Sequence, residues 1–106
     1  MTLNEMRDEA HQNARLHGWH DEKVHPLAVH ALIHSEISEA TEEVRNGMDM
    51  YIGPEGKPEG EAVELADAVI RIADYFGLKG WDLDNIVRQK MDYNATRPYR
   101  HGGKRY

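Results

Sequence analysis

The chain has 106 residues, which bounds it to one domain, residues 1–106, with a modest hydrophobic core. Hydrophobic residues make up 40% of it and charged residues 30%, a globular composition that excludes a disordered chain. Cysteine is absent, which excludes disulfides, thiolate metal sites and cysteine nucleophiles and fits a cytoplasmic protein. No apolar run approaches the roughly 18 residues of a membrane span, and no secretory signal is visible, so we expect no membrane partner.

The net charge of −6 is unevenly distributed along the chain. Residues 1–87 contain 7 Lys/Arg and 18 Asp/Glu, a net charge of −11, whereas residues 88–106 have a net charge of +5. An acidic body could collect divalent cations, and a basic tail could contact phosphate. A solubilising surface with a frayed basic end is the simpler alternative.

The first half of the chain predicts two helices. The first runs from Leu3 to about His17, and the second opens at Pro26, which suits a first helical turn, and ends near Asn46. Apolar residues of the second helix recur at spacings of 4, 3 and 4, at Ile33, Ile37, Ala40 and Val44. This stripe is typical of an amphipathic helix that packs on a core.

The second half predicts a loop and two further helices. Residues 47–60 are rich in glycine and proline and read as a loop. A third helix is expected over residues 61–76, ended by Gly77, and a fourth from Asp82 or Asp84 to about residue 95, followed by a basic non-helical tail over 95–106. Strand patterns are weak, so we predict an all-α four-helix bundle. The third helix is apolar over more than half its circumference, which predicts burial against a second copy in a homo-oligomer.

Two acidic pairs lie on the second and third helices, in Glu36-Ile-Ser-Glu39 and Glu64-Leu-Ala-Asp67. Residues three apart share one helical face, so each pair directs two carboxylates the same way. Four carboxylates from two helices suit a hard cation such as Mg²⁺ or Mn²⁺. The alternative is a solvated surface, with Asp67 and Arg71 as an ordinary i,i+4 pair.

Several side chains are candidates for contacts with a phosphorylated substrate. Lys90, Asn94 and Arg97 share one face of the fourth helix, although a basic last turn also complements the helix dipole. Further candidates are Lys57 in the glycine-rich loop, Arg71, Lys104 in the tail and Trp19, which could stack on a base or fill the core. His30 and His34 lack the Glu-x-x-His or cysteine partners expected of a zinc or redox di-metal site.

Three segments together resemble a known family. They are Ile33-His-Ser-Glu-Ile-Ser-Glu-Ala40; Lys57-Pro-Glu-Gly60 followed by Glu64-Leu-Ala-Asp-Ala-Val-Ile-Arg-Ile-Ala-Asp74; and Lys90-x-x-x-Asn94-x-x-Arg97-Pro-Tyr-Arg-His-Gly-Gly-Lys104. In this order they are similar to the motifs of the MazG-like all-α nucleoside triphosphate pyrophosphohydrolases of phages and bacteria. The first helix is only loosely matched.

The resemblance implies a metal-dependent hydrolase that converts a nucleoside triphosphate, with a dNTP favoured, to the monophosphate and pyrophosphate. It implies that the catalytic Mg²⁺ or Mn²⁺ ligands are Glu36, Glu39, Glu64 and Asp67. It also implies that Lys90, Asn94 and Arg97 contact substrate phosphates. It further implies a dimer or tetramer, no stable nucleic-acid partner, and a location in the cytoplasm of bacteria or of a phage-infected host. The alternative is a non-catalytic acidic helical module whose basic tail binds nucleic acid or whose helices bind a protein.

Overall fold

A computed structural model describes residues 1–106 and is mainly helical. The helices are α1 Leu3–Leu16, α2 Pro26–Arg45, α3 Glu61–Lys79, α4 Leu83–Ala95 and the single irregular turn α5 Arg100–Gly103. The all-α class is therefore confirmed in its coarse form. No helix combines the length and the apolar character that a membrane span requires.

Local capping explains where three of the helices begin. At α1, the Thr2 hydroxyl accepts a hydrogen bond from the Glu5 backbone N–H, and the Glu5 carboxylate accepts one from the Thr2 N–H, which completes a capping box. Pro26 occupies the first turn of α2. Asp82 caps α4 through the N–H of Asn85. The predicted starts of all three helices are confirmed.

The prediction that Gly77 ends α3 is wrong. The helix continues to Lys79 and ends at Gly80, which adopts a left-handed conformation at φ 70°. Gly77 has a packing role instead, because a Cβ built there would lie 2.5 Å from the Cβ of His11 on α1. The missing side chain lets α1 approach α3 closely.

The segment between α2 and α3, predicted as a loop without strands, contains a minimal β-hairpin. Strand β1, Tyr51–Ile52, pairs antiparallel with β2, Pro58–Glu59, across a 3₁₀ turn at Pro54–Gly56. Gly60 follows at φ 114°, packed so closely on the backbone of Asp49 that a side chain would collide with it. The hairpin therefore joins the start of α3 at a defined angle.

The long helix α3 is the centre of the fold, with α2 packed on one side and α1 on another. Helix α4 is attached chiefly to the start of α1. The Asp84 carboxylate accepts hydrogen bonds from the backbone N–H groups of Leu3 and Asn4, and the Asn4 side chain accepts one from the N–H of Leu83. These contacts hold α4 at one end only and do not by themselves close a four-helix bundle. A bundle of the MazG-like type therefore stays a prediction.

A single chain leaves much apolar surface uncovered. Its radius of gyration is 16.3 Å, compared with about 13 Å for a compact domain of this size. On α2 the buried face contains Glu36 and Ala40, whereas Ile37 and Val44 of the predicted core stripe are half exposed. Ala40 of the stripe is thus buried as predicted, but Glu36 lies on the buried face in place of Ile37 and Val44.

Candidate metal centre

Carboxylates from α2 and α3 converge where the two helices pack. Glu36, Glu64 and Asp67 each place an oxygen within 4.8 Å of the others, and we call these three residues the carboxylate cluster. Glu36 is buried, with 8% of its surface exposed, and the other two are partly buried. Three of the four predicted ligands therefore lie together, as their spacing on two helices predicted.

An arginine on α3 neutralises the buried member of the cluster. Arg71 Nε donates a hydrogen bond of 2.8 Å to Glu36 Oε1. Burial by itself would raise the pKa of Glu36, but the hydrogen bond from Arg71 and those of neighbouring carboxyl groups lower the pKa below its ordinary value. Arg71 pairs with Glu36 across the helices, so the simple i,i+4 pair of Asp67 with Arg71 is not what forms.

The other two carboxyl groups are pushed towards their neutral forms. Burial, together with the neighbouring carboxylates of Glu39, Glu36 and Asp67, raises the pKa of Glu64 to about 7. Burial and the charge of Glu36 raise the pKa of Asp67, an effect that Arg71 and Lys57 partly oppose. The cluster therefore tends to retain a proton at neutral pH, because like charges this close resist joint ionisation.

Glu39 lies at the rim of the cluster. It is exposed and falls outside the group of three mutually close oxygens, yet it is near enough to hydrogen-bond with Glu64 and to raise its pKa. Three of the four carboxylates thus converge, and Glu39 is their exposed neighbour.

A cavity of about 460 Å³ adjoins the cluster. Glu36, Asp67 and Arg71 form its polar side. Apolar lining comes from Val29 and Leu32 on α2, Ile70 on α3 and Trp19 after α1. Trp19 is 75% exposed, so it does not fill the core and its ring is available at the cavity edge. The cavity thus combines acidic, cationic and aromatic groups at one place.

The predicted phosphate-binding residues are not assembled around the cluster within one chain. Lys57 is exposed, and its Nζ lies 3.8 Å from Glu59 Oε1. Its positive charge also acts on Asp67 and lowers the pKa of that carboxyl group. On α4, Lys90 and Arg97 lie over the ring of Tyr93, at 5.0 and 5.8 Å from its centre. Asn94 and Lys104 are exposed, and neither they nor the α4 cations contact the carboxylate cluster.

The structure also brings together three residues that sequence reasoning missed. His11 Nδ1 lies 2.9 Å from Asp74 Oδ1, and His20 Nε2 lies 2.8 Å from the same oxygen. Asp74 follows Asp67 by seven residues and therefore lies on the same face of α3. That spacing was the only local signal, because the histidines are separated from Asp74 by 63 and 54 positions.

Comparison of the chain with models of known families, with curated proteins and with solved structures found no match. The likeness to MazG-like enzymes therefore rests on the motifs quoted above. Function has to be inferred from the chemistry of the site.

Proposed function

We propose that this protein is a nucleoside triphosphate pyrophosphohydrolase that uses Mg²⁺ or Mn²⁺ to convert an NTP or dNTP to the monophosphate and pyrophosphate. The observation that carries the proposal is the meeting of Glu36, Glu64 and Asp67 from two helices at the edge of a cavity. The choice of reaction, pyrophosphate release over phosphate release, rests on the resemblance of the motifs.

The donor set fits a hard divalent cation. All the converging atoms are carboxylate oxygens, the ligands that Mg²⁺ and Mn²⁺ prefer. Burial and the neighbouring carboxylates raise the pKa of Glu64, and a cation held by Glu36, Glu39, Glu64 and Asp67 would take the place of the retained proton. When bound, such a cation neutralises phosphate charge and activates water for attack at phosphorus.

Residues around the cavity can hold the substrate. Only Nε of Arg71 is engaged with Glu36, so its terminal N–H groups can donate to phosphate oxygens while the side chain lines the cavity. Lys57 lies close enough to Asp67 to add positive charge on the same side. The exposed Trp19 ring lines the same cavity and can stack on the base.

We further propose a homodimer at least, in which the partner supplies the cations of α4. Within one chain Lys90 and Arg97 do not contact the carboxylate cluster. Apolar side chains on the outer faces of α2 and α3 stay 37–53% exposed, at Ile37, Val44, Leu65, Val69 and Ile72. Covering these faces with a second copy would bury apolar surface, at about 25 cal/mol per Å².

Mixed dimers test whether active sites are shared. One parent carries Asp67→Asn, and the other carries Lys90→Ala with Arg97→Ala. If the sites are shared between subunits, refolding the two inactive parents together restores part of the activity, because each mixed dimer contains one intact site. A mixture that stays as inactive as its parents, with exchange shown by mass spectrometry, contradicts the sharing and leaves the hydrolase proposal standing.

A nucleotide screen tests the function itself. The eight common NTPs and dNTPs are incubated with the protein and Mg²⁺ or Mn²⁺, and the products are separated by chromatography. We expect monophosphate and pyrophosphate in equal amounts, with no reaction in EDTA. A diphosphate product would refute the reaction assignment. The absence of metal-dependent turnover on all eight nucleotides would favour the non-catalytic helical module instead.

A further inference from the structure

A second polar cluster lies along the same face of α3 as the carboxylate cluster. His11 of α1, His20 of the turn after α1 and Asp74 of α3 place their ring nitrogens and a carboxylate oxygen within 4.8 Å of one another, and we call them the histidine cluster. The ring centres of the two histidines are 5.0 Å apart. All three side chains are largely shielded from water, with 11–21% of their surface exposed.

The backbone holds the three ligand atoms in place from different directions. His11 is positioned by the close approach of α1 to Gly77. His20 Nε2 is near both carboxylate oxygens of Asp74, at 2.8 and 3.0 Å. Because His20 lies in a turn, its ring can move by the few tenths of an ångström that separate hydrogen-bonded atoms from the ligands of one cation.

We propose that the histidine cluster is a zinc-binding site, with His11 Nδ1, His20 Nε2 and an Asp74 oxygen as ligands. Two imidazoles and one carboxylate form a ligand set that suits Zn²⁺ and not Mg²⁺. Tetrahedral zinc with bonds of about 2.0 Å separates its ligands by about 3.3 Å, slightly more than the present distances. Three protein ligands leave one position open to water or another ligand.

One ring nitrogen of the histidine cluster, His20 Nδ1, is buried and has no hydrogen-bond partner. Buried polar atoms without partners are rare in native proteins and cost free energy. Zinc on Nε2 leaves a proton on Nδ1 and supplies no partner for that atom, so the ligand geometry and the donor types, not this nitrogen, support zinc.

Solvent and cations can reach the proposed site. A cavity of about 660 Å³ is lined by His11 and His20, by the acidic side chains of Asp8 and Asp21 and by the cation of Arg15. Two carboxylates against one arginine leave the lining net acidic, which favours the approach of cations. His20 and Asp74 also border the cavity beside the carboxylate cluster, so the two clusters would hold different metals at neighbouring positions on α3.

Zinc titration in a protein without the carboxylate ligands tests the proposal. The tag-free double variant Glu64→Gln, Asp67→Asn is stripped with EDTA and titrated with ZnCl₂ by calorimetry. We expect it to bind one equivalent, and His20→Ala in the same background to weaken binding at least about 100-fold, since even second-shell changes cost 10–100-fold. His17→Ala is the matched control, because His17 is exposed and contacts only the Asn13 carbonyl oxygen.

Ring nitrogen chemical shifts give a second measurement that needs no histidine substitution. In the folded double variant, ¹⁵N spectra should show zinc-dependent shifts at His11 Nδ1 and His20 Nε2 and none at His17. Shifts elsewhere, no zinc binding, or undiminished affinity in folded His20→Ala would each overturn the proposal. The double variant lacks two of the proposed carboxylate ligands, so its zinc binding does not depend on the hydrolase proposal. Failure of the zinc proposal and failure of the hydrolase proposal are therefore distinguishable.

Discussion

The two polar clusters on α3 differ in whether their groups repel one another or form hydrogen bonds. The carboxylate cluster brings like charges together, and burial with repulsion raises the pKa values of Glu64 and Asp67. The histidine cluster pairs two ring nitrogens with the Asp74 carboxylate at 2.8–2.9 Å. The carboxylate cluster therefore opposes folding through its repulsion, whereas the histidine cluster helps attach α1 to α3. Substitutions should have opposite effects on stability in the two places.

The largest effect is expected from removing a carboxylate ligand. Asp67→Asn or Glu39→Gln should lower turnover by at least about a thousandfold, about 4 kcal/mol of transition-state stabilisation. Stability should hold or rise, because a neutral side chain relieves repulsion. Pyrophosphate release and urea unfolding measure the two quantities. Glu42→Gln, an exposed neighbour on α2, is the control and should stay active. Full activity in either ligand variant would refute the metal assignment.

The tail should affect substrate binding and not folding. Residues 96–106 are exposed and contain Arg97, Lys104 and two further arginines. A chain ending at Ala95 should keep its circular dichroism spectrum but bind a triphosphate with metal on the order of a hundredfold more weakly, since each charge-assisted contact contributes roughly 1.5–3 kcal/mol. Affinity within about threefold of the full chain would show that the tail is only a frayed end.

Removing the centre of the histidine cluster should destabilise the metal-free protein. Asp74→Ala deletes the acceptor for both histidines and leaves their nitrogens unsatisfied, which should cost about 2 kcal/mol. Chemical unfolding in EDTA measures the loss. Asp92→Ala is a matched control, because its ion pair with Arg88 is exposed and contributes little. Equal stability of the two variants would show that the cluster does not hold α1 on α3.

The smallest effect is a pH-dependent one at Glu64. Its pKa is raised from 4.5 to about 7, so the folded state holds this proton more tightly than the unfolded chain. The stability due to Glu64 is therefore fully present below about pH 4.5 and is lost as the pH rises through 7. In metal-free buffer, the unchanged protein should lose stability between pH 5 and 8 while Glu64→Gln does not, because glutamine does not ionise. The difference in unfolding free energy between the two should change by only about 1 kcal/mol, because water screens the repulsion. A constant difference would contradict the raised pKa.

Local signals predicted the helices better than they predicted their faces. Thr2, Pro26 and Asp82 act within one turn, so the starts of α1, α2 and α4 could be predicted from the sequence. Gly77 failed as a helix end because its role is set by His11, more than sixty positions away. The stripe through Ile37 only partly predicted the inner face of α2, since Ala40 is buried there but Glu36, paired with Arg71, replaces Ile37. The hairpin at residues 51–59 is too short for an alternating pattern to be visible.

The sequence by itself determined the helical class and the pairing of Glu36 and Glu39 on one helix and of Glu64 and Asp67 on another, because an i,i+3 spacing places two side chains on one face whatever surrounds them. Only the tertiary structure decided that Glu36 is buried against Arg71 while Glu39 stays at the rim. It alone brought His11, His20 and Asp74 together, because their contact depends on the packing of α1 against α3. Contacts across dozens of residues have no local period, and so they emerge only from the packed fold.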